Sequence, residues 1–255
     1  MDALVLAGGS TKGLTEDTNM ATKALIDING RPMLAYILDA LKGAGQVGKI
    51  TVVLPSSVRN SQCLDKADIV VKGNGGMVEN FYTGLSSMGN GKDDSGHEVL
   101  AISADIPLIT SEAVDDFIKR CGEREASLYY PIVSKSAIEK RYPNVDRTYM
   151  ALREGRFTGG NFFLFDRRVA LRNRELLKKV IGVRKSPLGF VRILGLPFIF
   201  RFIFHWLTFP VLEKKISNLI GAKGVAVSTP YVEVSIDVDK VSDLDLVRAE
   251  LAREE

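Results

Sequence analysis

The chain has 255 residues, 45% hydrophobic and 25% charged, with a formal net charge of +3. That length carries a full hydrophobic core, and that charge is too small to argue for a nucleic-acid partner. Two cysteines, Cys63 and Cys121, exclude a disulfide framework or a zinc site, and two histidines, His97 and His205, exclude a histidine-rich metal centre and argue against a Ser-His-Asp triad. Chemistry here must rest on carboxylates, lysines and backbone dipoles. Met1-Asp2 leads into a strand pattern without the charged segment and cleavage pattern of a signal peptide, so the expectation is a cytoplasmic protein with packed thiols.

The first pattern is an apolar run, Ala3-Leu4-Val5-Leu6-Ala7, that breaks into Gly8-Gly9-Ser10. A buried strand ending in adjacent glycines lets a ligand approach the backbone, because no Cβ intervenes and positive φ is tolerated. Successive N–H groups there can form an anion nest, and Lys12 and Lys23 stand close enough in sequence to add positive charge. Residues 31–44 read as a helix, with Pro32 in its first turn, an apolar stripe of Met33, Leu34, Ile37, Leu38 and Leu41, and Gly43 and Gly45 as stops. A strand at 50–54, a short helix at 58–64, a strand at 68–71, a loop at 73–76, a helix at 77–88 and a strand at 98–102 follow. This last strand ends in Ser103-Ala104-Asp105-Ile106-Pro107. Buried strands alternating with helices predict parallel βαβ units with right-handed crossovers. Ligands bind beyond the carboxyl ends of such strands, which puts Gly8-Gly9, Gly75-Gly76 and Asp105 on one rim. Residues 89–96 read as a polar surface loop.

The second half is looser. It suggests a helix at 111–121, a strand at 128–133, a short helix at 136–140 and a strand at 148–153. Residues 157–165, containing Gly159-Gly160-Asn161, read as one strand, followed by a basic helix to about residue 180. Strands at 224–228 and 232–236 precede an amphipathic helix at 242–253. No repeat or low-complexity linker interrupts the chain, so one domain spanning 1–255 is expected. Residues 188–212 hold Trp206 and six phenylalanines (190, 198, 200, 202, 204 and 209). Their longest apolar run covers only 193–200, whereas a membrane-spanning helix needs about 20 residues. A helical insertion at 188–220 is expected, because Arg201 and His205 would then share a polar edge. It would serve as a buried or homodimer-forming helix, a wall for an apolar substrate, or a peripheral membrane contact beside Arg192 and Arg201.

Three nucleotide sites begin with a strand and glycines. A dinucleotide fingerprint needs G-x-G-x-x-G and an acidic residue ending the second strand; this chain has glycines at 8, 9 and 13 and ends that strand in Leu54-Pro55. A P-loop needs G-x-x-x-x-G-K-[ST], and Leu14 stands where its lysine belongs. The third pattern fits: Leu6-Ala7-Gly8-Gly9, then Lys23, then Gly30-Arg31-Pro32-Met33-Leu34, Ala104-Asp105-Ile106-Pro107, Gly159-Gly160-Asn161, and Ile236-Asp237-Val238-Asp239 before Asp243-Leu244. In this order the motifs resemble the MobA-like NTP transferases, relatives of the sugar-phosphate, isoprenoid and molybdopterin nucleotidyltransferases. One departure is the loop Ser10-Thr11-Lys12-Gly13-Leu14, where that family often has a glycine and arginine turn; Lys12 would take the arginine's part.

The resemblance implies a Rossmann-like three-layer α/β/α sandwich with a mostly parallel central sheet, of the nucleotide-diphospho-sugar transferase type. It implies Mg²⁺-dependent transfer of a nucleoside monophosphate from an NTP to a phosphorylated small acceptor, with pyrophosphate released. Ala7, Gly8, Gly9 and Ser10 would cradle the triphosphate, with Lys23 and Lys12 neutralising its charge. Gly75, Gly76 and Asn80 would meet base and ribose, and Arg147, Gly159, Gly160 and Asn161 would line the acceptor side. Asp105 would bind Mg²⁺ together with Asp237 or Asp239, which alternation along a strand would place on one face. An acceptor phosphate is already an anion, so no general base is required, which suits a chain poor in histidine. Two other readings stand beside this one: a nucleotide-sugar glycosyltransferase using Asp237-x-Asp239, and a non-catalytic nucleotide-binding adaptor at a membrane surface.

Overall fold

The computed structural model describes residues 1–14, 20–58, 62–89, 98–183, 193, 195, 198, 200 and 206–253. The expected loop at 89–96 and the aromatic stretch at 188–212 fall mostly outside these residues. Of that stretch, Phe198 is buried while Phe200 and Trp206 are exposed. Among the described residues, no helix is long and apolar enough to cross a membrane.

The centre is a nine-stranded sheet. Four adjacent strands are parallel, β1 (Asp2–Leu6), β4 (Ile50–Pro55), β5 (Ile69–Gly73) and β6 (Glu98–Ser103). The rest consists of β7 (Leu128–Ser134), β8 (Met150–Leu152), β9 (Gly155–Gly159), β10 (Phe162–Asp166) and β11 (Gly224–Ser228). The order runs β5-β4-β1-β6-β10-β7-β9-β8, with β11 also on β7. The sheet is therefore mixed: β10 runs antiparallel to β6 and β7, and β9 antiparallel to β7 and β8.

Both faces are covered, as uninterrupted apolar strands require. On β1, Ala3 and Val5 pack with α1 (Met33–Gly43) and α3 (Ser111–Cys121). Leu4 between them packs on the opposite face with α2 (Met77–Ser87). Further helices are α4 (Lys135–Arg141), α5 (Arg167–Arg172), α6 (Arg174–Val183), α7 (Phe209–Ile220) and α8 (Val241–Leu251). The basic helix expected after residue 165 is thus two helices, α5 and α6.

Four further local expectations differ from the structure. The helix expected from residue 31 starts at Met33, because Arg31–Pro32 is a strand, β3, paired with β2 (Asp27–Ile28). Asn29 and Gly30 turn this hairpin with φ of 50° and 83°, the left-handed pair that Asn-Gly favours. The helix expected at 58–64 is a 3₁₀ turn at Gln62–Lys66, and residues 59–61 lie outside the description. The strand expected at 232–236 is a 3₁₀ turn at Val232–Ser235.

The fourth difference shapes the site. The single strand expected at 157–165 is β9 and β10, broken at Gly160-Asn161. Gly159 pairs with Ile132 and Leu164 with Tyr129, so five steps of chain oppose three on β7. Two extra residues therefore bulge out of the ladder. Gly160 is suited to that bend, since a Cβ there would sit 2.9 Å from Pro131 Cγ and 3.1 Å from the Val234 carbonyl oxygen.

Candidate active site

Beyond the carboxyl ends of β1 and β6 lies a cleft of about 820 Å³, within the size range of sites for nucleotide-sized ligands. Ala7, Gly8, Gly9, Ser10, Lys23, Gly75, Gly76, Asn80, Asp105, Gly160, Asn161, Asp237 and Asp239 all line it. Three residues named from the sequence do not: Lys12, Arg147 and Gly159. Lys12 is exposed, and its backbone N–H donates to Ser10 Oγ at 3.2 Å.

Lys23 is held in place by the turn that contains it. Thr22, fully buried, donates its hydroxyl to the Ala7 carbonyl at 2.6 Å and accepts from Ala24 N–H at 3.3 Å. Lys23 N–H donates to the Gly9 carbonyl at 2.9 Å. These bonds attach residues 22–26 to the glycine loop, and the Lys23 side chain crosses directly over Gly9. A Cβ on Gly9 would lie 2.6 Å from Lys23 Cε, so the glycine is required by close approach.

The ammonium then meets the far end of the chain. Lys23 Nζ lies 2.6 Å from Asp105 Oδ2 and 2.8 Å from Asp239 Oδ1, and donates to the Val238 carbonyl at 3.1 Å. Val238 N–H in turn donates to the Asp105 carbonyl at 2.9 Å. Asp243, in the first turn of α8, accepts from the backbone N–H groups of Asp239 and Lys240 at 3.0 and 3.1 Å. The last helix thus fixes Asp239 from behind.

Asp237 is paired separately. Arg147 Nη1 pairs with its Oδ1, and Arg147 Nη2 donates to the Ser235 carbonyl. Arg147 is therefore a positioning residue for an acidic group, behind the cleft wall.

The electrostatics follow from this geometry. Burial acts to lower the Lys23 pKa, and Asp105, then Asp239, override it, leaving the ammonium above its ordinary value. Burial acts to raise Asp239, and Lys23 overrides it, so that carboxyl stays below its ordinary value. Burial raises Asp237, with Arg147 opposing. Ligand oxygens of Asp105, Asp237 and Asp239 lie within 4.8 Å of one another. Asp105 Oδ1 is buried without a hydrogen-bond partner. Three converging carboxylates, one with an unused oxygen, fit a hard divalent cation such as Mg²⁺.

At the opposite end, Asn161 is held by its backbone: its N–H donates to Val234 O at 3.0 Å, and its carbonyl accepts from Ser103 N–H at 2.9 Å. Its side-chain Nδ2 is buried without a hydrogen-bond partner, in a residue that lines the cleft. Gly159, just outside the lining, lies under the Tyr130 ring, with its would-be Cβ 2.5 Å from Cε1. Asn80 takes a bracing position, its Oδ1 accepting from Gly75 N–H at 3.1 Å.

Sequence reading passed over Thr22, Tyr130 and Phe163. Tyr130 and Phe163 line the cleft, and each reads in sequence as one more apolar strand residue. Thr22 carried a local signal, an N-cap residue directly before Lys23.

Comparisons with known proteins show the family and the fold. A family model described as the MobA-like NTP transferase domain matches residues 3–201. A protein of Pyrococcus horikoshii, named a probable molybdenum cofactor guanylyltransferase, is 26% identical over 167 residues, 64% of this chain and 79% of the relative. The structure of a hypothetical transferase from Thermus thermophilus matches with a TM-score of 0.82 and 32% identity, over 95% of this chain and 99% of that one. The 2-C-methyl-D-erythritol 4-phosphate cytidylyltransferase of Thermus thermophilus shares the fold, with a TM-score of 0.57 at 15% identity over 98% of each chain. The family match covers most of the chain, including the glycine floor, Lys23, Asp105 and Asn161, and the chain belongs to the MobA-like NTP transferase family of nucleotidyltransferases.

Proposed function

We propose that this protein, acting as one domain in the cytoplasm, transfers a nucleoside monophosphate from a Mg²⁺-bound NTP to a phosphorylated small molecule and releases pyrophosphate. The name of the Pyrococcus relative makes GTP the first donor to test. The observation that carries the reading is the junction of Lys23 with Asp105 and Asp239 beside Gly9. It puts a positive charge and a carboxylate cluster beside the glycine turn that follows β1.

In this reading the N–H groups of Gly8, Gly9 and Ser10 hold the triphosphate, and Lys23 supplies charge at the α-phosphate. Asn161 Nδ2 orients the acceptor. An acceptor phosphate oxygen forms a bond to the α-phosphorus as the bond to the bridging oxygen breaks, and pyrophosphate leaves with that electron pair. No proton has to be removed from the nucleophile. Mg²⁺, held by Asp105 with Asp239 or Asp237, would offset phosphate charge when bound. The rate gain comes from alignment and fixed charge.

A thermal-shift screen of the four NTPs with Mg²⁺ tests the donor, since a ligand of the native state alone raises Tm. Pyrophosphate release across a panel of small phosphates then tests the acceptor class. Stabilisation by a nucleoside diphosphate sugar and by none of the NTPs would overturn the reading in favour of glycosyl transfer. Binding of an NTP without turnover on any phosphate would favour a non-catalytic adaptor.

A further inference from the structure

We propose that Lys23 is the resident cation of the acidic cluster: its ammonium holds the place of a divalent metal until the nucleotide draws it away, so metal and nucleotide are taken up together. The inference rests on the reading of Asp105, Asp237 and Asp239 as a metal site.

The first support is the use of the ammonium's donors. A lysine has three N–H donors and no acceptor. Here Asp105 Oδ2, Asp239 Oδ1 and the Val238 carbonyl lie at 2.6, 2.8 and 3.1 Å from Nζ. All three donors therefore have acceptors within the protein, and none remains for a phosphate. The same group cannot hold these carboxylates and serve a triphosphate at once.

The second support is charge. With all groups ionised, three carboxylates facing Lys23 and Arg147 leave a net charge of −1. Withdrawing Lys23 leaves −2, the charge a divalent cation cancels. A metal arriving while Lys23 stays would instead have to share Asp105 and Asp239 with a fixed ammonium, a like charge at close range.

The third support is the route. The Lys23 backbone is anchored to the Gly9 carbonyl at 2.9 Å, and the side chain runs over Gly9 with no Cβ in its way. Rotation about its outer torsions carries Nζ from the carboxylates to the N–H floor at Gly8–Ser10 while the backbone stays fixed. Asp105 Oδ1, buried and without a partner, remains as a ligand oxygen on the side Lys23 leaves.

The direct test is Mn²⁺ binding without nucleotide, read by electron paramagnetic resonance, in the wild type, Lys23→Met and Lys23→Gln. Removing the competing ammonium is expected to tighten Mn²⁺ binding about tenfold, the scale of an ordinary coupling between two sites. Binding in both variants that equals or falls below wild type overturns the proposal. A second measurement uses the wild type alone and holds even if both variants misfold. Acylation of Lys23 by an amine-reactive ester, followed by peptide mass spectrometry, is expected to rise when Mn²⁺ fills the site, because the metal expels the ammonium. Unchanged or reduced labelling at saturating Mn²⁺ overturns the proposal. If no protein binds Mn²⁺, with or without the α,β-methylene analogue of GTP, the metal reading itself falls and takes this inference with it. Tight Mn²⁺ binding without expulsion of Lys23 overturns the inference alone.

Discussion

The two ends of the cleft are built on opposite plans. The end proposed for the nucleotide sits on parallel strands, and its parts are close in sequence: Ala7–Ser10 follow β1, and Thr22 and Lys23 return to them within 15 residues. The end proposed for the acceptor sits where the sheet turns antiparallel, and its parts are distant: Tyr130, Asn161 and Asp237 line it from separate segments, with Arg147 behind Asp237. One end offers bare backbone beside the Lys23 ammonium. The other presents a donor, Asn161 Nδ2, fixed by backbone bonds on both sides of its residue. The contrast fits a reaction in which the triphosphate changes most on the way to products while the acceptor only has to be held in line.

The strongest test of that contrast is the junction between the two ends. Asp105→Asn and Lys23→Ala are each expected to lower pyrophosphate release about 10³-fold, the upper scale for losing one fixed electrostatic group. They differ in stability. Lys23→Ala strips the partner from buried Asp105 and should cost about 3 kcal/mol, read as a lower denaturant midpoint, whereas Asp105→Asn leaves Lys23 paired with Asp239. Full turnover in either variant breaks the site assignment.

Next in size is Gly9→Ala, which displaces Lys23 from its path and is expected to reduce kcat about 10²-fold and to lower Tm, because Lys23 is pushed from its place beside buried Asp105. A smaller, one-sided effect belongs to the acceptor end. Asn161→Ala should raise the acceptor KM about tenfold, the loss of one good hydrogen bond, and leave the NTP KM unchanged. Equal rises in both constants would erase the distinction between the ends.

The smallest effect lies outside the cleft. Arg124 grips Glu213 with two bonds of 2.8 and 2.7 Å, and Ala226 N–H adds a third at 2.9 Å. Burial acts to raise the Glu213 pKa, and Arg124 and Ala226 override it and hold it below its ordinary value. A depressed carboxylate stabilises above its unfolded pKa of about 4.3 and loses that contribution as pH falls through the folded value. Glu213→Gln is thus expected to cost about 1 kcal/mol at neutral pH. The cost should vanish in strong acid while activity per folded molecule stays constant.

Legibility in the sequence followed the same division. Strands β1, β4 and β6, helices α1, α2 and α3, and the rim shared by Gly8-Gly9, Gly75-Gly76 and Asp105 were readable because each rests on a local apolar period or a glycine break. The hairpin at Asp27–Pro32 was also readable, from Asn29-Gly30, but the apolar stripe beginning at Met33 masked it. The β9–β10 break could not be read, because a bulge is defined by register against β7, which lies about 30 residues away. The same holds for Arg147: no pattern within its own segment announces a carboxylate at position 237.

The sequence by itself determined that a buried strand runs into adjacent glycines, that Lys23 and Asp105 are the candidates to act beside them, and which family the motifs resemble. These are properties of short segments, set by apolar period, the missing Cβ of glycine and residue chemistry. Only the tertiary structure decided how the pieces meet. It joined Lys23 to Asp239 across 216 positions, gave Asp237 to Arg147, left Lys12 outside the cleft and turned Asn161 inward at a bulge. Those outcomes depend on which distant charges and strands become neighbours, and that is fixed when the sheet closes on its core.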